Sequence, residues 1–291
     1  MKLVGIPAYN EEKMIGDIVK RSLQHSDKVI VIDDGSSDNT AQIAKQSGAT
    51  VISHQKNQGY GAAVITLFDR ARQENADIMI MVDGDGQHDP EQIPLLVNTL
   101  QENDVDIVIG SRFLDDKSKT PRYRKRGIKI ITSAANFGAD FKVSDAQSGF
   151  RAYSKRAIEL IHPTETGMSV STEILLKISN KGLSIAEVPI TVSYNGKTST
   201  EHSVPHGIAV LMNTLKFISV KHPIPFYGFP GVALVIIGSV LGYQFLDTYL
   251  NKHAVFLGSL MASIILFLVG TIFCVTAVIL FSMATLIRER N

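Results

Sequence analysis

From Phe226 to Ile287 the chain carries only two charged residues, Asp247 and Lys252. No other feature constrains the fold as strongly. Two apolar stretches result, Phe226–Leu246 and Ala254–Ile287, and each reaches the roughly 20 residues that a helix needs to cross a bilayer. The stretch between them, Asp247–His253, reads as a short polar turn, so the pair predicts a transmembrane helical hairpin. A soluble core hairpin fits this length and purity poorly. Both stretches are C-terminal and too long for a cleaved signal, and the N-terminus opens directly on a strand, so no targeting peptide is expected.

Orientation follows from the flanking cations. Lys216 and Lys221 precede the first stretch and Arg288 and Arg290 follow the second, against a lone Lys252 in the turn. Positive charge stays on the cytoplasmic side, which places both ends and the large N-terminal region there. The single Cys274 excludes a disulfide framework and reads as a packing residue of the second stretch. The preceding region, roughly 225 residues, suffices for one large α/β domain with a full core. A net charge of +1 argues against a nucleic-acid binder, although Arg122, Arg124, Lys125, Arg126 and Lys129 cluster locally.

In the first hundred residues short apolar runs alternate with helical patterns. Lys2–Ile6, Val29–Ile32, Thr50–Ser53, Ile78–Val82 and Asp106–Ile109 predict strands; Glu11–Leu23, Thr40–Gln46, Gly61–Arg72 and Glu91–Glu102 predict helices, with Asp38 and Asp89 as caps. Such alternation implies βαβ units and a doubly wound, mostly parallel sheet. Further on, a basic helix is expected near Tyr123–Gly138, a strand near Gly149–Tyr153, a helix near Ser171–Asn180 and a strand over Ser184–Val192. His206–Val220 has apolar residues at helical spacing, and reads equally as an amphipathic interfacial helix or as a core helix.

Ile78–Val82 ends abruptly in Asp83-Gly84-Asp85-Gly86-Gln87-His88-Asp89. Closely spaced acids at the C-terminal end of a buried strand suit a hard cation such as Mg²⁺ or Mn²⁺, held between carboxylates and substrate phosphates. Taken alone, the same residues are equally ordinary turn chemistry, with His88 as turn residue and Asp89-Pro90 as a helix start. A calcium loop is excluded, because His88 and Pro94 stand where its turn glycine and bidentate Glu belong.

Four more clusters fall at strand ends, the edge where a doubly wound sheet binds its ligands. In Pro7-Ala-Tyr9-Asn-Glu11-Glu12 the Pro ends the strand, Tyr9 offers a flat face to a base, and Glu11 can accept from ring or ribose donors. Asp33-Asp34-Gly35-Ser36-Ser37-Asp38 supplies two acids of the same kind. Asn57-Gln-Gly59-Tyr-Gly61 reads as a tight turn that lets backbone approach a nucleotide. Gly110-Ser-Arg112 offers a guanidinium for a pyrophosphate.

Together with Asp145-Ala-Gln-Ser148-Gly149-Phe-Arg151, these segments resemble the successive motifs of family 2 glycosyltransferases. The nearest likeness is to the polyprenyl-phosphate (dolichol-phosphate) mannosyl- and glucosyltransferases, over about the first 220 residues. The resemblance implies a GT-A fold in residues 1–205, and the interfacial helix and linker expected in 206–225 and the two transmembrane helices expected in 226–291 agree with it independently. It implies that Pro7, Tyr9, Glu11 and Asp34 hold the nucleoside with Asp33 and Gly84 in support, and that Asp83, Asp85 and Gln87 ligate Mg²⁺ or Mn²⁺. Arg112 and Arg126 would meet the diphosphate or the lipid phosphate; Asp145, Ser148 and Arg151 would lie near the transferred sugar and acceptor, and Asp85, Arg112 and Asp145 would be catalytic. Two departures stand out. Tyr194 replaces the Arg that follows the last strand in the mannosyl enzymes, leaving Lys197 as substitute acceptor-phosphate contact, and Gly84 and Gly86 replace larger residues.

The implied activity is inverting transfer of a hexose from a GDP-mannose- or UDP-glucose-type donor to a polyprenyl (dolichyl) phosphate at the cytoplasmic membrane face. An acceptor phosphate is already ionised, so no strong base is needed. The rivals are a glycosyltransferase with a sugar-hydroxyl acceptor, for which Asp145 would be the base, and a membrane-tethered nucleotide-sugar binder without turnover. Expected partners are the donor, the lipid phosphate and the bilayer, with no nucleic acid; oligomeric state stays open, a homo-oligomer included.

Overall fold

The computed structural model describes residues 1–115, 122–139, 141–193, 203–252 and 257–290. The expectations placed on Tyr194 and Lys197 fall outside them. The chain divides into two compact units, Met1–Thr214 and Leu215–Asn291.

The first unit is an α/β domain. Its strands are β1 (Lys2–Ala8), β2 (Lys28–Asp33), β3 (Thr50–Ser53), β4 (Ile78–Met81), β5 (Ile107–Ser111), β6 (Arg151–Ser154) and β7 (Ile185–Pro189). The helices between them are α1 (Ile15–Ser22), α2 (Thr40–Gln46), α3 (Tyr60–Gln73), α4 (Ile93–Glu102), α5 (Arg122–Gly138), α6 (Lys155–Leu160) and α7 (Val170–Lys181). They form one seven-stranded sheet in the order β3-β2-β1-β4-β6-β5-β7. The expected parallel pairs are present, but β6 runs antiparallel to both β4 and β5. Two apolar layers sandwich the sheet: Leu67, Phe68, Ile158, Ile174 and Leu175 on one side, Ile15, Ile18, Val19, Leu96 and Val97 on the other. Strands buried on both faces read as continuous apolar runs for this reason.

Three local departures have plain causes. β1 continues through Pro7 to Ala8, pairing Pro7 with Ile32, so the Pro does not end the strand. α1 starts later than expected, because Asn10 adopts a left-handed φ of 56° and Glu11 caps the following turn through its carbonyl. α6, with six residues, is too short to show periodicity; Ser154 caps it by accepting from Ala157 N–H at 3.2 Å. Asp89 caps the 3-10 turn Pro90–Gln92 that leads into α4, accepting from Glu91 N–H, whereas the cap position of α2 is Asn39 and Asp38, one residue earlier, accepts from Thr40 N–H.

Helix α8 (Ser203–Lys221) runs across the division between the units. Val210 and Thr214 are buried one turn apart, and Asn213 donates to Glu165 and Ser169 in the segment before α7. In the second unit, a π-helical turn (Ile224–Gly228) leads into α9 (Phe229–Lys252), followed by α10 (Leu257–Arg290). The expected polar turn is therefore mostly the last turn of α9, where Asn251 donates to Asp247 at 2.7 Å. The two helices meet through small residues: Ser263 donates to Gly238 O at 2.8 Å, and a Cβ at Gly231 would lie 2.8 Å from Cys274 Sγ. Ile224–Asn251 and Leu257–Thr285 are long and apolar enough to cross a membrane, and only 11% of each most apolar window is buried. A core helix of a soluble domain would bury most of that surface.

Candidate active site

The C-terminal edge of the parallel strands gathers the loops after β1, β2, β3, β4 and β5. The antiparallel sense of β6 adds a sixth. Arg151 at its start is the register partner of both Met81 in β4 and Ile109 in β5. The segment Asp145–Phe150 therefore enters the sheet where Asp83 and Arg112 leave it.

One half of this edge is acidic. Gly84 N–H donates to Pro7 O at 3.3 Å, which sets the loop after β4 beside that after β1. Tyr9 is 45% exposed and presents its ring outward. Glu11 is half-buried, and its carboxyl is pushed up to about 7 by burial and by the neighbouring Asp85, Asp38 and Asp83. Burial also raises Asp83, opposed by a hydrogen bond from Tyr60 and by the charges of Arg112 and Arg151. Asp85 accepts from Gln87 twice, from its backbone N–H at 2.9 Å and its side-chain amide at 2.5 Å. Among the described residues no three His, Cys, Asp or Glu side chains form a closed metal cage. Two carboxylates beside a third acid nevertheless fit a hard cation completed by substrate phosphates, because a cation would relieve the repulsion that, after burial, raises Glu11.

The other half holds its charges in pairs. Asp145 is fully buried and takes Arg112 in a fork, Nε to Oδ2 at 2.6 Å and Nη2 to Oδ1 at 2.7 Å. Glu187 on β7 accepts from the backbone N–H of Ser144 at 2.8 Å and of Asp145 at 3.3 Å, fixing the backbone that presents Asp145. Arg151 is also fully buried, and donates to the carbonyls of Ser148, Ser171 and Ala146 at 2.8, 3.0 and 2.8 Å.

These contacts correct several expectations. Arg151 staples the backbone around β6, so it is not an acceptor-phosphate contact. Ser148, given the same role, is 1% exposed. Asp145 is buried in its ion pair, and two donors of Arg112 are committed to it. Arg126 is exposed on α5, as a phosphate contact requires.

The glycine loop and the β2 loop also differ from expectation. A Cβ at Gly61 would lie 2.1 Å from Glu165 O, and one at Gly59 2.6 Å from Thr166 O. The backbone that needs these glycines is the chain's own, in the segment before α7, and not a nucleotide. Asp34 is buried and faces this loop: it accepts from Gln58 and Gly59 N–H at 3.0 and 2.8 Å and meets His54 Nδ1 at 2.6 Å. It ties the loop after β3 to the end of β2. Asp33 closes its own turn, accepting from Ser36 N–H at 3.2 Å.

Sequence reasoning missed three side chains here. His88 is not a surface turn residue; it is buried, stacks on Phe150 at 5.3 Å, and sets Nδ1 3.4 Å from Asp83 Oδ2. Burial pushes it down to about 4, so the ring is neutral at neutral pH. Tyr60 donates to Asp83 Oδ1 at 2.9 Å. Glu187 was legible in one respect, as an acid inside an apolar strand.

Comparison with known proteins agrees with this architecture. Residues 3–161, more than half of the chain, match the family model described as Glycosyl transferase family 2. The UDP-N-acetylglucosamine–dolichyl-phosphate N-acetylglucosaminyltransferase of Methanococcus voltae is 33% identical over 229 residues, 71% of this chain and 89% of that relative. The dolichol-phosphate mannosyltransferase of Pyrococcus furiosus is 32% identical over 198 residues, 64% of this chain and 54% of that relative. Among solved structures, glucosyl-3-phosphoglycerate synthase from Mycobacterium tuberculosis in complex with Mn²⁺, UDP and glucosyl-3-phosphoglycerate has a TM-score of 0.60 at 22% identity, covering 76% of this chain and 79% of that one. That last likeness is one of fold. With a family match over most of its sheet and relatives above 30% identity, this chain belongs to glycosyltransferase family 2 and is a hexosyltransferase.

Proposed function

We propose that the chain transfers a hexose, with inversion, from a nucleotide-diphosphate sugar to a polyprenyl (dolichyl) phosphate at the cytoplasmic face of a membrane. The observation that carries this reading is the state of Asp145. A sugar-hydroxyl acceptor needs a carboxylate base, and the carboxylate the family motif offers is fully buried and forked onto Arg112. A phosphate acceptor arrives ionised and needs none. The two apolar helices supply a reason for a lipid acceptor, with 206–225 as the interfacial link between a catalytic domain over residues 1–205 and the spans in 226–291.

In this reading Tyr9 and Glu11 receive the nucleoside beside Pro7 and Gly84. Asp83 and Asp85 would hold a divalent cation, Mg²⁺ or Mn²⁺, with Gln87 bonded onto Asp85; when bound, the cation neutralises the departing diphosphate. Arg112, fixed by Asp145, and the exposed Arg126 add positive charge for the diphosphate and acceptor phosphate. Positioning two anions at one sheet edge supplies the rest of the acceleration.

The test is a panel of radiolabelled GDP-mannose, UDP-glucose and UDP-N-acetylglucosamine incubated with membranes containing the chain, followed by organic extraction. Label entering the lipid fraction from one donor supports the reading and names that donor. Label found only in polymer or glycan overturns the lipid acceptor, and turnover of none of the three places the donor sugar outside this panel. Reporter fusions at both ends test the cytoplasmic placement drawn from Lys216, Lys221, Arg288 and Arg290.

A further inference from the structure

Asp83 is confined on three sides. Tyr60, the first residue of α3, donates its hydroxyl to Oδ1 at 2.9 Å. Opposite stands Gly149, where a Cβ would lie 2.3 Å from Oδ2 and 2.6 Å from Oδ1, so any larger residue would displace the carboxylate. The His88 ring closes the third side at 3.4 Å. Of these neighbours, the tyrosine alone is a hydroxyl donor whose removal leaves the shape of the pocket intact.

The end of α3 that carries Tyr60 is itself held. Ala62 N–H donates to Thr166 O at 3.2 Å, and Gly59 and Gly61 allow that backbone contact. The partner segment is pinned by Glu173, which accepts from Thr164 and Glu165 N–H at 2.9 Å each, and by Asn213. The Tyr60 ring packs against the core beneath the sheet. A rigid donor on a clamped helix end thus aims at one oxygen of one acid.

We infer that Tyr60 is a positioning residue for Asp83: its hydroxyl fixes the carboxylate that meets the divalent cation on the donor diphosphate, and so sets cation affinity without touching the reacting atoms. This rests on the reading of Asp83 as a cation ligand. Partners one step behind a metal ligand hold its orientation and typically control affinity by one or two orders of magnitude.

The full chain in detergent, wild type and Tyr60→Phe, is titrated with Mn²⁺ in the presence of UDP or GDP, and free Mn²⁺ is read from its electron paramagnetic resonance signal. The same preparations give the Mn²⁺ dependence of transfer and the thermal midpoint without metal. Phe keeps the ring and its packing, so roughly tenfold weaker Mn²⁺ binding is expected, with half-saturating Mn²⁺ for transfer raised alike and the rate at saturating Mn²⁺ within about twofold of wild type. Unchanged Mn²⁺ binding in Tyr60→Phe overturns the inference alone, whether the rate falls at every Mn²⁺ concentration, the thermal midpoint drops, or nothing changes. A wild-type chain that binds no Mn²⁺ with either nucleotide overturns the cation reading of Asp83, and the inference with it.

Discussion

The two halves of the sheet edge treat charge in opposite ways. After β1 and β4, Glu11, Asp83 and Asp85 lie together, and burial, with repulsion from Asp85, Asp38 and Asp83, drives Glu11 up to about 7. After β5 and before β6, Asp145 has Arg112, and Arg151 has three carbonyls. Charges satisfied inside the fold are framework; charges the fold leaves in mutual repulsion are where a ligand completes the structure. The strongest family signature, Asp145–Arg151, falls largely in the framework half.

That contrast can be broken from either side. On the paired side, Arg151→Ala orphans three buried carbonyls and opens a cavity, and should cost about 4 kcal/mol, with transfer lost because the domain unfolds. Denaturant unfolding measures this; a stable Arg151→Ala variant lacking only activity would restore Arg151 as a substrate contact. On the acidic side, Asp85→Ala should lower transfer by about 10²–10³-fold while the melting midpoint stays close to wild type. Full activity of that variant in detergent would remove Asp85 from the site. Gly149→Ala crosses the boundary, since its methyl group would push Asp83 aside: roughly tenfold lower transfer is expected, with a stability loss of about 1–2 kcal/mol.

The smallest effect sharpens the comparison through pH. Glu11 binds its proton more tightly folded than unfolded, because its carboxyl lies at about 7 against an ordinary 4.5. The stability linked to it is therefore complete below pH 4.5 and is lost as pH rises to about 7. Glu11→Gln should melt higher than wild type at pH 8 without metal, by the equivalent of roughly 1 kcal/mol after solvent screening, and at the same temperature as wild type at about pH 4. Equal midpoints at both pH values would show that neither burial nor the neighbouring acids press on Glu11, and would weaken the case for a cation between them.

Much of the site was legible because its components are local. A buried run ending in acids, a Gly-rich turn and an Arg after a strand each occupy a few consecutive residues, and βαβ alternation places them all at one edge. Asp89 caps as read, since a cap depends on its next few neighbours, and Asp38 missed the cap position of α2 by one residue. Arg151 was misread because an Arg in a motif looks the same whether it faces phosphate or three carbonyls. The contacts of Asp34 and Asp145 were illegible for a related reason: their partners lie 20 or more residues away, in His54, Gly59 and Arg112.

By itself the sequence determined the α/β class, the acids at the end of β4 and the apolar helices, all set by periodicity and by the cost of burying charge. The tertiary structure alone decided that β6 runs backwards between β4 and β5, which brings Gly149 against Asp83 and Asp145 against Arg112. It also decided that the glycines of the third loop serve the chain's own backbone, and that Tyr60 reaches Asp83. Strand order and long-range pairing are global choices, made by the best joint burial of every element. No window of sequence contains them.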